Sequence, residues 1–102
     1  MILGEFIRAC EILDEVLDER KRQERLVLLG KFKETCASPT MIDPDRYLVL
    51  AEEFAEVTVL VTAAAFDREP PESYREKLHA ELIQVAAVAV AWVEGIDAEA
   101  VA

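Results

Sequence analysis

The chain has 102 residues, 53% of them apolar, which is enough for one domain spanning residues 1–102 around a modest core. Its 21 acidic and 11 basic residues give a formal net charge of −10, and this speaks against nucleic acid as a partner, because backbone binders neutralise phosphates with Lys and Arg. Cys10 and Cys36 have neither a CxxC spacing nor the company a disulfide framework needs, and no signal peptide precedes them, so both read as thiols of a cytoplasmic protein.

In chain order, Ile12, Leu13, Val16, Leu17, Leu26 and Val27 recur at three- and four-residue steps among charges, which predicts an amphipathic first helix over about residues 5–29. The basic residues within "RKRQER", residues 20–25, are interrupted by Glu24 and preceded by Asp18 and Glu19, so that stretch reads as a solvated helix face. Gly30 is a natural end or bend, and Ser38, Pro39 and Asp43 suit a loop. Asp43 before Pro44 reads as an N-cap with proline at the first helical position, opening a second helix over about residues 44–66. Within it "VTVLVT", residues 57–62, favours a strand locally, but the flanking periodicity favours helix. "DREPPE", residues 67–72, stops that helix, since two prolines remove two backbone donors. Ser73 and Glu76 form an S-x-x-E capping box for a third helix over about residues 74–94, ended by Gly95. The longest uncharged run near its end, residues 82–93, falls short of the roughly 20 residues a spanning helix needs, so no membrane is expected.

The chemistry gathers on the second and third helices. At about 100° per residue, Glu52, Glu53 and Glu56 share one arc of a helix that is otherwise Leu, Val, Ala and Phe. Glu81 and Gln84 form a second polar stripe on the third helix, with Lys77 one turn before Glu81. Like charges side by side are unfavourable away from water, so such clusters reach solvent, meet cations or bind a metal. Mg²⁺ takes oxygen ligands and keeps waters for a phosphate-bearing substrate, which suits two facing helices that each offer an i, i+3 pair. A solvated acidic face carries the same spacing, so spacing does not decide between them.

"LAEEFAEV" and "AELIQVAAVAVAWVE" resemble the two signature helices of the MazG-like all-α NTP pyrophosphohydrolase superfamily, in particular its small stand-alone phage and bacterial members. The resemblance covers roughly residues 43–97. It implies Mg²⁺ or Mn²⁺ held by Glu53, Glu56, Glu81 and residue 84, a phosphate contact from Lys77, and Glu52 as the nearby acid able to orient or deprotonate water. The implied reaction is hydrolysis of a nucleoside triphosphate to the monophosphate and pyrophosphate. This chain departs from the pattern at Gln84, where relatives carry an aspartate, and at "LLG", residues 28–30, where a tryptophan-glycine often stands.

Two further features admit other readings. Glu76 and His79 make the E-x-x-H unit of di-iron bundles, yet they point away from Glu81 and Gln84 on one helix, so His79 reads as a surface or interface residue. Trp92 ends an Ala/Val run that is apolar nearly all round, which predicts a core or interface role and cover from another chain. The expected architecture is therefore an all-α bundle of three main helices completed as a homodimer or a dimer of dimers, as the resemblance also implies. The rival to the enzyme is a catalytically weakened assembly or nucleotide-sensing module, and Gln84 is the residue that raises it.

Overall fold

The computed structural model describes residues 2–66 and 71–101. It is an all-helical bundle of α1 (Ile2–Leu28), α2 (Asp43–Ala65) and α3 (Pro71–Val101), with no strand among the described residues. α3 lies at the centre, and α1 and α2 each pack on it. The break expected at Asp67 to Pro70 falls outside the described residues.

α1 ends as Gly30 suggests. Gly30 has φ +74°, its N–H bonds the Val27 carbonyl at 3.0 Å and the Lys31 N–H bonds that of Leu26 at 2.8 Å, the paired closure of a Schellman motif. The inward stripe of α1 differs from the expected one. Val16, Arg20 and Gln23 are buried, whereas Leu13 and Leu17 are exposed. Arg20 tolerates burial because its Nε donates to Glu94 at 2.6 Å, its Nη1 to Gln23 at 2.8 Å and its Nη2 pairs with Glu24 at 2.9 Å, so no charge is left alone. The basic stretch is thus only partly a solvated face.

Asp43 is not the cap of α2. Ile42, whose side chain offers no acceptor, holds that position, and the Asp43 carboxylate is engaged elsewhere: it accepts from Arg46 Nη1 at 3.1 Å and from Trp92 Nε1 at 3.0 Å. The β-branched run 57–62 is helical, with the Thr58 hydroxyl donating back to the Phe54 carbonyl at 3.2 Å. α3 starts at Pro71, so Ser73 and Glu76 lie inside its first turns rather than flanking its start, and it continues through Gly95 to Val101. Proline is favoured in the first helical turn, which accounts for the earlier start.

Gly95 is needed for close approach, not for a stop. A Cβ there would collide with the Cys36 carbonyl and lie 2.5 Å from Arg46 Nη2. Arg46 is 0% exposed. Its Nε donates to the Cys36 carbonyl at 3.0 Å and its Nη2 to that of Ser38 at 2.7 Å, while Nη1 reaches Asp43 and, at 2.7 Å, Glu99. This one guanidinium binds the loop to both α2 and α3. Around it Cys36, Met41, Val88 and Ala91 form a small core, flanked by Val49, Leu50 and Trp92.

The bundle is open. Its radius of gyration is 15.7 Å, against roughly 13 Å for a compact chain of about 100 residues. Phe54 and Val59 on α2 and Leu82, Val90 and Val93 on α3 are exposed. α3 is long and apolar enough to cross a membrane by length and composition, with a mean hydropathy of 1.3 over an 18-residue window of which 22% is buried. The twelve-residue run read from the sequence is therefore extended at both ends by helix, and its outer surface lacks cover among the described residues.

Candidate functional site

α2 and α3 bring three carboxylates to one point. Glu53 and Glu56 lie one turn apart on α2, Glu81 faces them from α3, and one carboxylate oxygen of each lies within 4.8 Å of the others. Glu53 and Glu81 are half-buried and Glu56 is exposed. Glu53 Oε2 and Glu81 Oε2 are shut from solvent and meet no donor from another described residue, although a protonated Glu81 would donate within the cluster to Glu56 and Glu53. Buried oxygens of this kind are unfavourable unless a proton or a cation joins them.

The acidity of the cluster reflects this. Burial, and then the neighbouring Glu56 and Glu53, push the Glu81 carboxyl up to about 7. Burial first, then Glu56, raises Glu53 as well; a hydrogen bond with Glu81 opposes the rise, and Glu19 and Glu52 add smaller contributions to it. Near neutrality the cluster therefore holds a proton that a free carboxylate would release.

Two concavities adjoin it. A cleft of about 470 Å³ lies between α1, α2, α3 and the segment after α1, lined by Glu52, Glu53 and Gln84 together with Gln23, Phe32 and Met41. A hollow of about 280 Å³ is lined by Glu56, Glu81 and Lys77. Every site residue read from the sequence thus borders one of these two neighbouring spaces. The E-x-x-H pair stands apart: Glu76 and His79 are exposed, and His79 Nε2 lies 3.7 Å from Glu15 of α1. Trp92 serves the core and its bond to Asp43.

Gln23, Lys31, Phe32, Lys33 and Met41 line the large cleft and were not singled out from the sequence, and Cys36, which also lines it, was read only as a free thiol. Gln23 sits in a run dominated by charge, and the others belong to a segment without periodicity, so only tertiary folding reveals them. The only local sign was the Gly30 turn, which reverses the chain towards α2.

The chain matches no protein-family model, and no curated protein or solved structure is significantly similar to it.

Proposed function

We propose that this protein is a Mg²⁺-dependent nucleoside triphosphate pyrophosphohydrolase of the MazG-like kind, cleaving an NTP to the monophosphate and pyrophosphate. The observation that carries the reading is the convergence of Glu53, Glu56 and Glu81 from two helices, with two carboxylate oxygens that no donor outside the cluster satisfies. The donor set fits a hard divalent cation, since all three are carboxylates; Gln84 lines the cleft that Glu53 shares, and in this reading it would turn its amide oxygen to the ion. When bound, Mg²⁺ or Mn²⁺ supplies charge neutralisation at the phosphates and a more acidic water.

The protein's own groups have separate tasks in this reading. Glu53, Glu56, Glu81 and Gln84 hold the ion. Lys77, beside Glu56 and Glu81 in the smaller hollow, contacts phosphate as a mobile cation. Glu52 is exposed and lies on the cleft wall next to Glu53, where its carboxylate orients water and accepts its proton as the water oxygen bonds to phosphorus and pyrophosphate departs. A screen of the purified chain against NTPs with Mg²⁺ or Mn²⁺, reading pyrophosphate release, tests the proposal. Absence of release for every base and both ions sinks it.

Gln84 favours the second reading, a nucleotide-sensing or assembly module with weakened metal binding, because a neutral amide replaces a charged ligand. Gln84→Asp distinguishes the two. A fourth carboxylate should tighten Mg²⁺ binding about tenfold and make the melting temperature depend more steeply on Mg²⁺. Calorimetric titration and melts with and without the ion measure both, and an unchanged affinity argues that residue 84 is no ligand.

The uncovered apolar surface fits association of like chains, a homodimer or a dimer of dimers in the cytoplasm. Val90 is 42% exposed whereas Val88 is 5% exposed, so Val90→Asp alters the outer face of α3 without entering the core. Sedimentation should show an oligomer for the wild type and monomer or aggregate for Val90→Asp. A monomeric wild type refutes association.

A further inference from the structure

Two apolar surfaces of the chain are uncovered, and they match. Residues 4–14 of α1 are all exposed, and Val16 is the first of the described side chains in that helix to reach the core. A helical arm of this length is marginal in water without packing. Along it Phe6, Cys10, Leu13 and Leu17 follow one another at steps of four, three and four residues, the 3.5-residue period of a seam that meets another helix. Phe6 is 61% and Leu13 63% exposed. The ion pairs of the arm lie away from that seam, with Arg8 at 3.0 Å from Glu11 and 3.9 Å from Glu15, since at roughly 100° per residue Arg8 and Glu15 fall on the opposite side of the helix.

The second surface is the outward face of α3. Leu82, Ala86, Ala89, Val93, Ile96 and Ala100 recur at the same alternating steps, and all but the half-buried Ala86 are exposed. The other faces of α3 are taken: Glu94 receives Arg20 from α1, Trp92 donates to Asp43 of α2, and Ala87, Val88 and Ala91 are buried between them.

We propose that the α1 arm of one copy lies along the α3 stripe of a second copy and that the exchange is reciprocal, each chain covering the other. The proposal rests on the association of like chains given above and is independent of the reaction. Two copies that each carry a net charge of −10 repel, so contact is favoured where charge is absent, as it is on both strips. Run antiparallel, which brings opposite helix-dipole ends together, the layers become Phe6 on Ile96, Cys10 on Val93, Leu13 on Ala89 and Leu17 on Ala86. Each leucine then rests on an alanine, the large-on-small fit that lets helices approach closely. Two arms paired with each other set large against large and leave α3 bare. Four layers are also few for a stable interface, which takes about 20–30 residues a side, whereas the exchange engages an arm and a stripe from each chain.

Cross-linking of the full chain tests the register. Val93 is 58% exposed, so Val93→Cys leaves the core intact and sets a thiol beside Cys10 of the second copy. Oxidation with copper phenanthroline should convert most of this variant to covalent dimer, and adding Cys10→Ser should abolish the product. Cys36, 3% exposed, takes no part. The wild type, whose Cys10 faces Val93, should not cross-link. Leu13→Glu puts a charge against apolar surface in both halves of the exchange, so in sedimentation it should weaken the dimer by about a hundredfold or more. Linkage of wild-type Cys10 to its own counterpart would show arms paired with arms, and linkage of Val93→Cys that survives Cys10→Ser would show stripe on stripe. Either result overturns the exchange, as does the absence of any covalent dimer. A monomeric wild type overturns association as a whole, whereas a dimer unmoved by Leu13→Glu and lacking the Cys10 linkage overturns the exchange alone.

Discussion

If Glu81 holds Mg²⁺ as proposed, Glu81→Gln is expected to lower pyrophosphate release by on the order of a hundredfold, since it would remove a charged oxygen ligand from a site with few to spare, while making the ion-free protein more resistant to heat. The second effect separates a metal site from a surface acid. Glu81 is raised from 4.5 to about 7 by burial and by Glu56 and Glu53, so the folded chain keeps a proton that the unfolded chain loses. Stability without a cation should therefore fall as pH rises from about 4.5 to about 7 and level off above it. Glutamine resembles the protonated acid and carries no charge, so the melting temperatures of variant and wild type should separate across that window. Added Mg²⁺ should restore the wild type and leave the variant nearly unmoved. Melts of both proteins at several pH values, with and without the ion, supply the measurement. Coincident pH profiles with unaltered turnover would remove Glu81 from the site.

Gly95→Ala is expected to destabilise the fold by about 2 kcal/mol, even though alanine exceeds glycine in helix propensity by roughly 1 kcal/mol. The new methyl group meets the Cys36 carbonyl and lies 2.5 Å from Arg46 Nη2 and 2.9 Å from its Cζ. The Cys36 carbonyl is held by Arg46 Nε at 3.0 Å, so neither neighbour moves without breaking a buried bond. Gly4→Ala is the matched control: it too lies within a helix, and a Cβ there meets nothing within 4 Å. Urea titration should show Gly4→Ala neutral or stabilised and Gly95→Ala clearly weakened. Equal behaviour of the two would show that the crowding around Arg46 relaxes freely.

The contrast between these glycines explains what could be read before the fold was known. Gly30 acts locally, through a positive φ that closes α1, and local effects are written in the residues beside them. Gly95 acts through contact with residues about fifty and sixty positions earlier, so its neighbours in sequence suggested a helix end that does not exist. The same division holds for the helices and the site. Three helices follow from apolar period and punctuation, and spacing with the family resemblance puts Glu53, Glu56, Glu81 and Gln84 on two polar stripes; the fold gathers the three glutamates, while Gln84 lines the neighbouring cleft. Asp43 misled because an aspartate before proline is a good cap in isolation, whereas here its carboxylate is taken by Arg46 and Trp92. Arg20 and Gln23 looked solvated because charge dominates their stretch. Their inward turn depends on Glu94, which lies 74 residues away.

The ties of Arg20 to Glu94 and of Arg46 to Glu99 also bear on how the chain matures on the ribosome. Synthesis runs from the amino end, and domains generally form once their segments have emerged. Arg20 and Arg46 are made early together with the local partners Glu24 and Asp43, but a second carboxylate for each, Glu94 and Glu99, comes in the later turns of α3. Until those turns emerge, burying either guanidinium would leave it one acidic partner short, which favours keeping both in water. Full docking of α1 and of the loop after it therefore waits for the far end of α3.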